Sequence, residues 1–267
     1  MGKTKSLMLI PVIVVISCYA LINLGLYVFQ NSLIFFPRKL YSRSPEVVTN
    51  KKHEIKINID DVALHGWLLN KGEKKLIIYY GGNAEEVSAN INDMKDIDGY
   101  SVLLMNYRGY GMSEGKPGQK ILFSDALNIY DYISGKLNIQ PKNIVLFGRS
   151  LGSGIAVYVA GKRKVSKLIL VTAYDSIRNI ARVHYPIIPV GLILRHPFDS
   201  MLYAKDVSSS ALMITGGRDT IIPNDNSMNL AKSWKRDCKS VLIEQADHND
   251  IHTYPEYWEA VTEYLNQ

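Results

Sequence analysis

Hydrophobic positions fall along this chain in three patterns, and each predicts a different element. The first is a run from Ser6 to Pro37 without a single charge, most apolar between Leu7 and Phe29. As a helix that portion extends roughly 35 Å, enough for a hydrocarbon core of about 30 Å. Residues 7–29 are therefore expected to form one membrane-spanning anchor helix behind a short tail, 1–6. Tyr27, Phe29, Phe35 and Phe36, followed by Arg38 and Lys39, resemble an interfacial anchor at its far end. The run exceeds the apolar core of about 7–15 residues that a cleaved signal peptide carries. A buried core helix would be shorter and amphipathic. Val15-Ile16-Ser17-Cys18 looks like a lipobox, a rival reading, but the apolar run continues well past Cys18.

The second pattern is alternation with period two. Glu54-Ile55-Lys56-Ile57-Asn58-Ile59 and Ala63-Leu64-His65-Gly66-Trp67-Leu68-Leu69 flank Asp60-Asp61, a turn signal, and predict an antiparallel hairpin at a sheet edge. His65 belongs to the second of these strands and is read as a core-edge or solvated residue, outside the chemistry. Between the anchor and this hairpin, residues 30–50 turn polar and are expected to be a tether. A single folded domain is expected over 51–267.

The third pattern is a series of short, β-branched apolar runs that read as strands buried on both faces: Leu76–Tyr80, Tyr100–Met105, Asn143–Phe147, Lys167–Val171, Ala211–Thr215 and Ser240–Ile243. Gly81-Gly82-Asn83-Ala84 after the first of them is expected to lead into a helix containing Glu85, Glu86 and Val87. Ile121 to Leu137 carries Leu122, Asp125, Ala126, Ile129, Tyr130 and Ile133 at helical spacing. Strands alternating with helices predict an α/β fold whose sheet is mostly parallel, with a site at the strands' carboxyl ends. Residues 176–210 break the rhythm with Pro186, Pro189 and Pro197 and read as a small lid. There Leu192, Ile193, Leu194 and Phe198 either line an acyl pocket or belong to the core.

Composition narrows the partners. The 267 residues carry a formal net charge of +6, with Lys and Arg scattered along the chain rather than gathered into a basic stripe between stacking aromatics. Nucleic acid is therefore not an expected partner. Cys18 and Cys238, the two cysteines, imply neither a disulfide framework nor a zinc site. No cofactor is called for. The loop Asn106–Gly115 is glycine-rich, but no dinucleotide fingerprint opens a helix there. Lys3 and Lys5 before the anchor favour a cytoplasmic N-terminus, whereas Arg38, Lys39, Arg43, Lys51 and Lys52 after it point the other way, so the charges leave the side of the 51–267 domain open.

Candidate chemistry centres on Gly148-Arg149-Ser150-Leu151-Gly152-Ser153-Gly154, where the apolar strand ending at Phe147 gives way to an apolar helix. A serine between glycines at such a junction fits a strained turn that exposes its hydroxyl, with the first free N–H groups of the helix beside it. Downstream, Asp219 in Gly216-Gly217-Arg218-Asp219 and His248 in Asp247-His248-Asn249-Asp250 each follow a strand. Acyl transfer needs a hydroxyl nucleophile, an imidazole to take its proton, and a carboxylate to orient the imidazole. The order serine, acid, histidine supplies all three. Asp175, near the end of the strand before the lid, is the one rival for the acid.

These motifs, with Gly81-Gly82-Asn83-Ala84 and Asn106-Tyr107-Arg108-Gly109-Tyr110-Gly111, resemble the α/β-hydrolase superfamily, and within it the membrane-anchored α/β-hydrolase-domain proteins related to serine aminopeptidases. The likeness covers Lys51 to Gln267 and the N-terminal anchor. It implies an α/β-hydrolase fold with a short lid and a Ser150–Asp219–His248 triad. It also implies an oxyanion hole of the Leu151 and Asn83 backbone N–H groups. The activity implied is cleavage of an ester, thioester or amide through an acyl-serine, against the alternative of a non-catalytic hydrolase-fold binding protein. Relatives often carry His-Gly-Asn where this chain has Gly81-Gly82-Asn83. A main-chain donor is expected to survive that change.

Overall fold

A computed structural model describes Gly2 to Gln267, with side chains from Ile10 onward. Met1 and the side chains of residues 2–9, which include Lys3, Lys5 and the start of the expected 7–29 span, lie outside the described residues.

Eight strands form one sheet: β1 (Glu54–Ile59), β2 (Val62–Leu69), β3 (Lys75–Tyr80), β4 (Tyr100–Met105), β5 (Ile144–Arg149), β6 (Lys167–Val171), β7 (Ser210–Gly216) and β8 (Cys238–Ile243). Their spatial order is β1-β2-β4-β3-β5-β6-β7-β8. β1–β2 and β2–β4 are antiparallel, and every other pairing is parallel. The edge hairpin turns at Asp60 and Asp61, both at positive φ (48° and 59°), as a tight two-residue turn between twisted strands requires. In β1 only the isoleucines face inward: Ile55, Ile57 and Ile59 are buried while Lys56 and Asn58 are exposed.

The central strands split by period two between two cores. Leu76, Ile78, Ile144 and Leu146 join one core, with Leu122, Ile129 and Ile155. Ile77, Tyr79, Val145 and Phe147 join the other, with Ile91, Met94, Val261 and Tyr264. That division is why these strands read as continuous apolar runs: both faces are covered.

The helices are α1 (Gly2–Ile34), α2 (Pro45–Thr49), α3 (Ile91–Met94), α4 (Gln119–Leu137), α5 (Leu151–Ala160), α6 (Ile177–His184), α7 (Val190–Ile193), α8 (Ser200–Ala204), α9 (Asn224–Ser233) and α10 (Pro255–Asn266). α4 begins two residues before the periodicity suggested. On it Asp125 is buried and takes a bidentate pair from Arg108 at 2.7 and 2.8 Å. This explains an acidic residue on the inward face.

Four expectations change. Glu85 and Glu86 do not lie in a helix: a 3₁₀ turn at Val87–Asn90 and the single-turn α3 follow them, and both carboxylates bond elsewhere. Residues 30–50 are not a loose tether, since Gln30, Phe35 and Val47 are buried, and Lys39 bridges to Gly111. Phe35 packs edge-on against His196 and Phe198, so it is a core residue and not an interfacial one. In the segment expected to be a lid, which holds α6, α7 and α8, Phe198 is core whereas Leu192 is 88 % exposed. His65 is buried, edge-on to Trp67 and 3.2 Å from Glu54, which makes it part of the hairpin's packing.

Candidate active site

β5 ends at Arg149 and α5 begins at Leu151, so the whole change of direction falls on Ser150. Its backbone sits at φ 49° and ψ −119°, a conformation that L-residues adopt only where the surroundings hold them there. Those surroundings are tight. A Cβ on Gly152 would lie 2.0 Å from the Tyr80 carbonyl oxygen, and one on Gly148 would lie 2.5 Å from that of Gly152. Only glycine permits this approach of α5 to β3 and of β5 to its own helix. The Ser150 N–H donates to the Val171 carbonyl at 2.9 Å, which ties the turn to β6.

The structure brings all three expected side chains together. His248, on the loop after β8, has Nε2 2.9 Å from Ser150 Oγ and Nδ1 2.8 Å from Asp219 Oδ2. Asp219 follows β7, and its other oxygen accepts the N–H groups of Ile221 and Ile222 at 2.9 and 2.8 Å. The carboxylate is thereby locked in the orientation that faces the imidazole. Such a chain lets an imidazole receive the hydroxyl proton as the oxygen attacks an electrophilic carbon.

Asp175 is elsewhere occupied. It is buried and accepts from Ser176 N–H, Asn179 Nδ2 and Asn226 Nδ2 at 2.5 to 2.9 Å. His184 bonds the Ile221 carbonyl through Nε2. The neighbouring Asp247 binds Asn249 and Asp250 N–H, which holds its carboxyl below the ordinary range. None of the three hydrogen-bonds the imidazole, whose partners are Asp219 and Ser150.

The backbone N–H groups of Leu151 and Asn83, expected to face an oxyanion, have no hydrogen-bond partner among the described residues. The Asn83 side chain is fully engaged: Nδ2 donates to the Ile34 carbonyl at 2.5 Å, and Oδ1 accepts from Phe36 N–H, Tyr110 hydroxyl and Ala84 N–H at 3.0–3.1 Å. The position of that loop is thus coupled to the end of α1.

A second layer escaped the sequence reading. Glu85 accepts from Gly82 N–H at 2.8 Å, Tyr79 hydroxyl at 2.7 Å, Asn90 Nδ2 at 2.7 Å and Arg149 at 2.9 Å. Arg149 also donates to the His248 carbonyl at 3.2 Å. One buried ion pair therefore links the Gly81–Asn83 loop, the turn at Ser150 and the loop that carries His248. Burial depresses the Arg149 guanidinium's affinity for its proton, but the Glu85 carboxylate reverses this and the net direction is upward. Arg149 stood next to Ser150 in the sequence, a charge at the end of an apolar strand, and that was the available signal.

The family profile for the alpha/beta hydrolase fold matches residues 62–187. An uncharacterized protein of Mycobacterium tuberculosis is 30% identical over 246 residues, 88% of each chain. An uncharacterized membrane protein of Saccharomyces cerevisiae is 28% identical over 173 residues, 62% of this chain and 61% of that one. Among solved structures, an esterase of Pyrococcus furiosus superposes with a TM-score of 0.68 at 20% identity, over 87% of this chain and 96% of that one. By its fold, its sequence and its relatives, this chain belongs to the α/β-hydrolase family.

Proposed function

We propose that this protein is a membrane-anchored serine hydrolase that cleaves an ester or thioester through an acyl-Ser150 intermediate. The observation that carries the reading is the continuous chain from Ser150 Oγ through the His248 imidazole to Asp219. In the forward step His248 Nε2 takes the Ser150 proton while Oγ bonds to the acyl carbon. The oxygen's developing charge is received by the Leu151 and Asn83 N–H groups, at the start of α5 and on the loop after β3. His248 then returns the proton to the departing alcohol or thiol. Water reverses the roles, regenerating the hydroxyl and releasing the acid. Asp219 holds the imidazole tautomer throughout.

The anchor part of the reading rests on Ile10–Ile34, in which the most apolar 18-residue stretch has a mean hydropathy of 2.3 and no buried residue. α1 runs without interruption through Cys18, which supports a spanning helix over a lipidated, truncated one.

The test is labelling by a fluorophosphonate probe followed by hydrolysis of p-nitrophenyl esters of graded chain length, their thioester counterparts and aminopeptidase substrates. Labelling of the native protein, lost in Ser150→Ala, is the expected result. A folded native protein that neither labels nor turns over any of these substrates would overturn the catalytic reading in favour of a binding role. Turnover confined to the aminopeptidase substrates would replace the ester assignment with a peptidase.

A further inference from the structure

The apolar helix and the lid are joined at a depth that a bilayer would impose on both. Tyr19, in the middle of α1, donates its hydroxyl to the Ile187 carbonyl at 2.6 Å. Eight residues later along α1, the Arg195 guanidinium stands over the Tyr27 ring at 5.1 Å. Three residues further, Gln30 donates to the Ile193 carbonyl and accepts from Arg195 N–H at 3.1 and 2.7 Å, and Asn31 meets His196 at 2.8 Å. The lid segment therefore runs down the side of α1 from Arg195 to Ile187 and back.

The composition of that segment matches the helix beside it. Between His184 and Arg195 the sequence Tyr185-Pro186-Ile187-Ile188-Pro189-Val190-Gly191-Leu192-Ile193-Leu194 contains no charge. Tyr185, Ile187 and Leu192 are 59, 77 and 88 % exposed, an arrangement that water disfavours and hydrocarbon does not. Basic groups close the segment on both sides, Arg182 before it and Arg195 after it.

Geometry sets the depth. A spanning segment cannot begin before Ser6, because Lys5 precedes it. Taken from Ser6, about 20 residues cross the core and end near Gly25, which puts Tyr27 and Arg195 at headgroup level. Tyr19 then lies about 12 Å below Tyr27 along the helix axis. Any register further along the chain takes it deeper. The lid tip bonded to Tyr19 has to enter the leaflet with it.

We infer that the lid tip Tyr185–Leu194 is a membrane-inserting surface that dips into the acyl-chain region beside α1, with Arg182 and Arg195 at the headgroups. This rests on reading α1 as a bilayer-spanning helix. The same docking sets the catalytic mouth against the membrane, since Asn83 bonds the Ile34 carbonyl and the neighbouring Gly82 would place a Cβ 3.6 Å from that of Ser150. The substrate class that fits is an ester or thioester whose acyl chain is held in the bilayer.

The experiment uses the full chain with Cys238→Ser, reconstituted in phosphatidylcholine–phosphatidylglycerol vesicles. An environment-sensitive fluorophore is placed on the native, exposed Cys18. In Cys18→Ala backgrounds it is placed on Ile187→Cys, on Leu192→Cys, or on Lys71→Cys. Lys71 lies in the β2–β3 turn, at the end of the sheet opposite the site. Brominated acyl chains are expected to quench the labels at 18, 187 and 192 and to leave that at 71 bright. Quenching at 18 without quenching at 187 or 192 would overturn the inserted lid while leaving the anchor standing. No quenching at 18 would overturn the anchor itself.

Discussion

Ser150 and His248 are expected to act as one unit, so their losses should not add. Ser150→Ala, His248→Ala and the double variant should each lower turnover by about the same factor, of order 10⁶. A double variant much slower than either single one would sink the pairing. Asp219→Asn should cost about 10⁴ through the wrong imidazole tautomer. Asp175→Asn should instead lower stability, since it breaks a buried knot of Asn179, Asn226 and Ser176, and should leave turnover of the remaining folded protein near native. Thermal melts beside single-turnover rates distinguish the two aspartates. The Glu85–Arg149 pair belongs to the same scale, with side chains only 9 and 17 % exposed. Glu85→Gln leaves a guanidinium largely buried without its counter-charge, at a cost of order 3 kcal/mol in a denaturant titration.

Among elements, the junction of β5 and α5 tolerates least. Gly152→Ala would drive its methyl group onto the Tyr80 carbonyl at 2.0 Å, so the variant is expected to be insoluble or to melt many degrees lower, with no labelling by a fluorophosphonate. The β1–β2 hairpin supplies a pH dependence. His65 faces Glu54, with Lys51 and Lys56 nearby, and burial lowers its proton affinity below the ordinary histidine value of about 6.5, Glu54 only partly opposing this. The unfolded chain therefore binds that proton more readily. His65 contributes its full share of stability above about pH 6.5 and loses it as pH falls through the lowered value. Melting temperatures between pH 7.5 and 5 should drop more steeply for the native chain than for His65→Gln. Equal slopes would show that the imidazole is not the cause.

For the molecule as a whole, the expectation is that the protein stays with membranes through high-salt and carbonate washes, and that Cys18→Ala does not release it. Release of the Cys18→Ala variant alone would revive the lipoprotein reading. Residues 30–50 pack against the domain rather than tethering it, through Phe35, Val47 and the Lys39–Gly111 bridge. The apolar helix and the catalytic core are consequently expected to melt in a single transition in detergent.

Local patterns in the chain were enough for much of this. Period-two alternation marked the hairpin, doubly buried apolar runs marked the parallel strands, and the glycines around Ser150 marked a turn that only they allow. The order Ser150, Asp219, His248 was likewise legible, because each residue lies on the turn or loop after a strand and a parallel sheet delivers strand ends to one edge. Other features required the third dimension. That Asp219 and not Asp175 meets the imidazole depends on what the fold brings to each carboxylate: Asn226 of α9 reaches Asp175 from far along the chain, and the loop after β8 brings His248 to Asp219. Glu85 and Arg149 pair across the gap between β3 and β5, adjacent in the sheet but more than sixty residues apart in the chain. The docking of Tyr19, Gln30 and Asn31 onto the lid left no trace in hydropathy, because hydrogen bonds between distant segments have no periodicity. Side-chain spacing records which face of an element is buried, while the partner it is buried against is chosen only when the chain closes on itself.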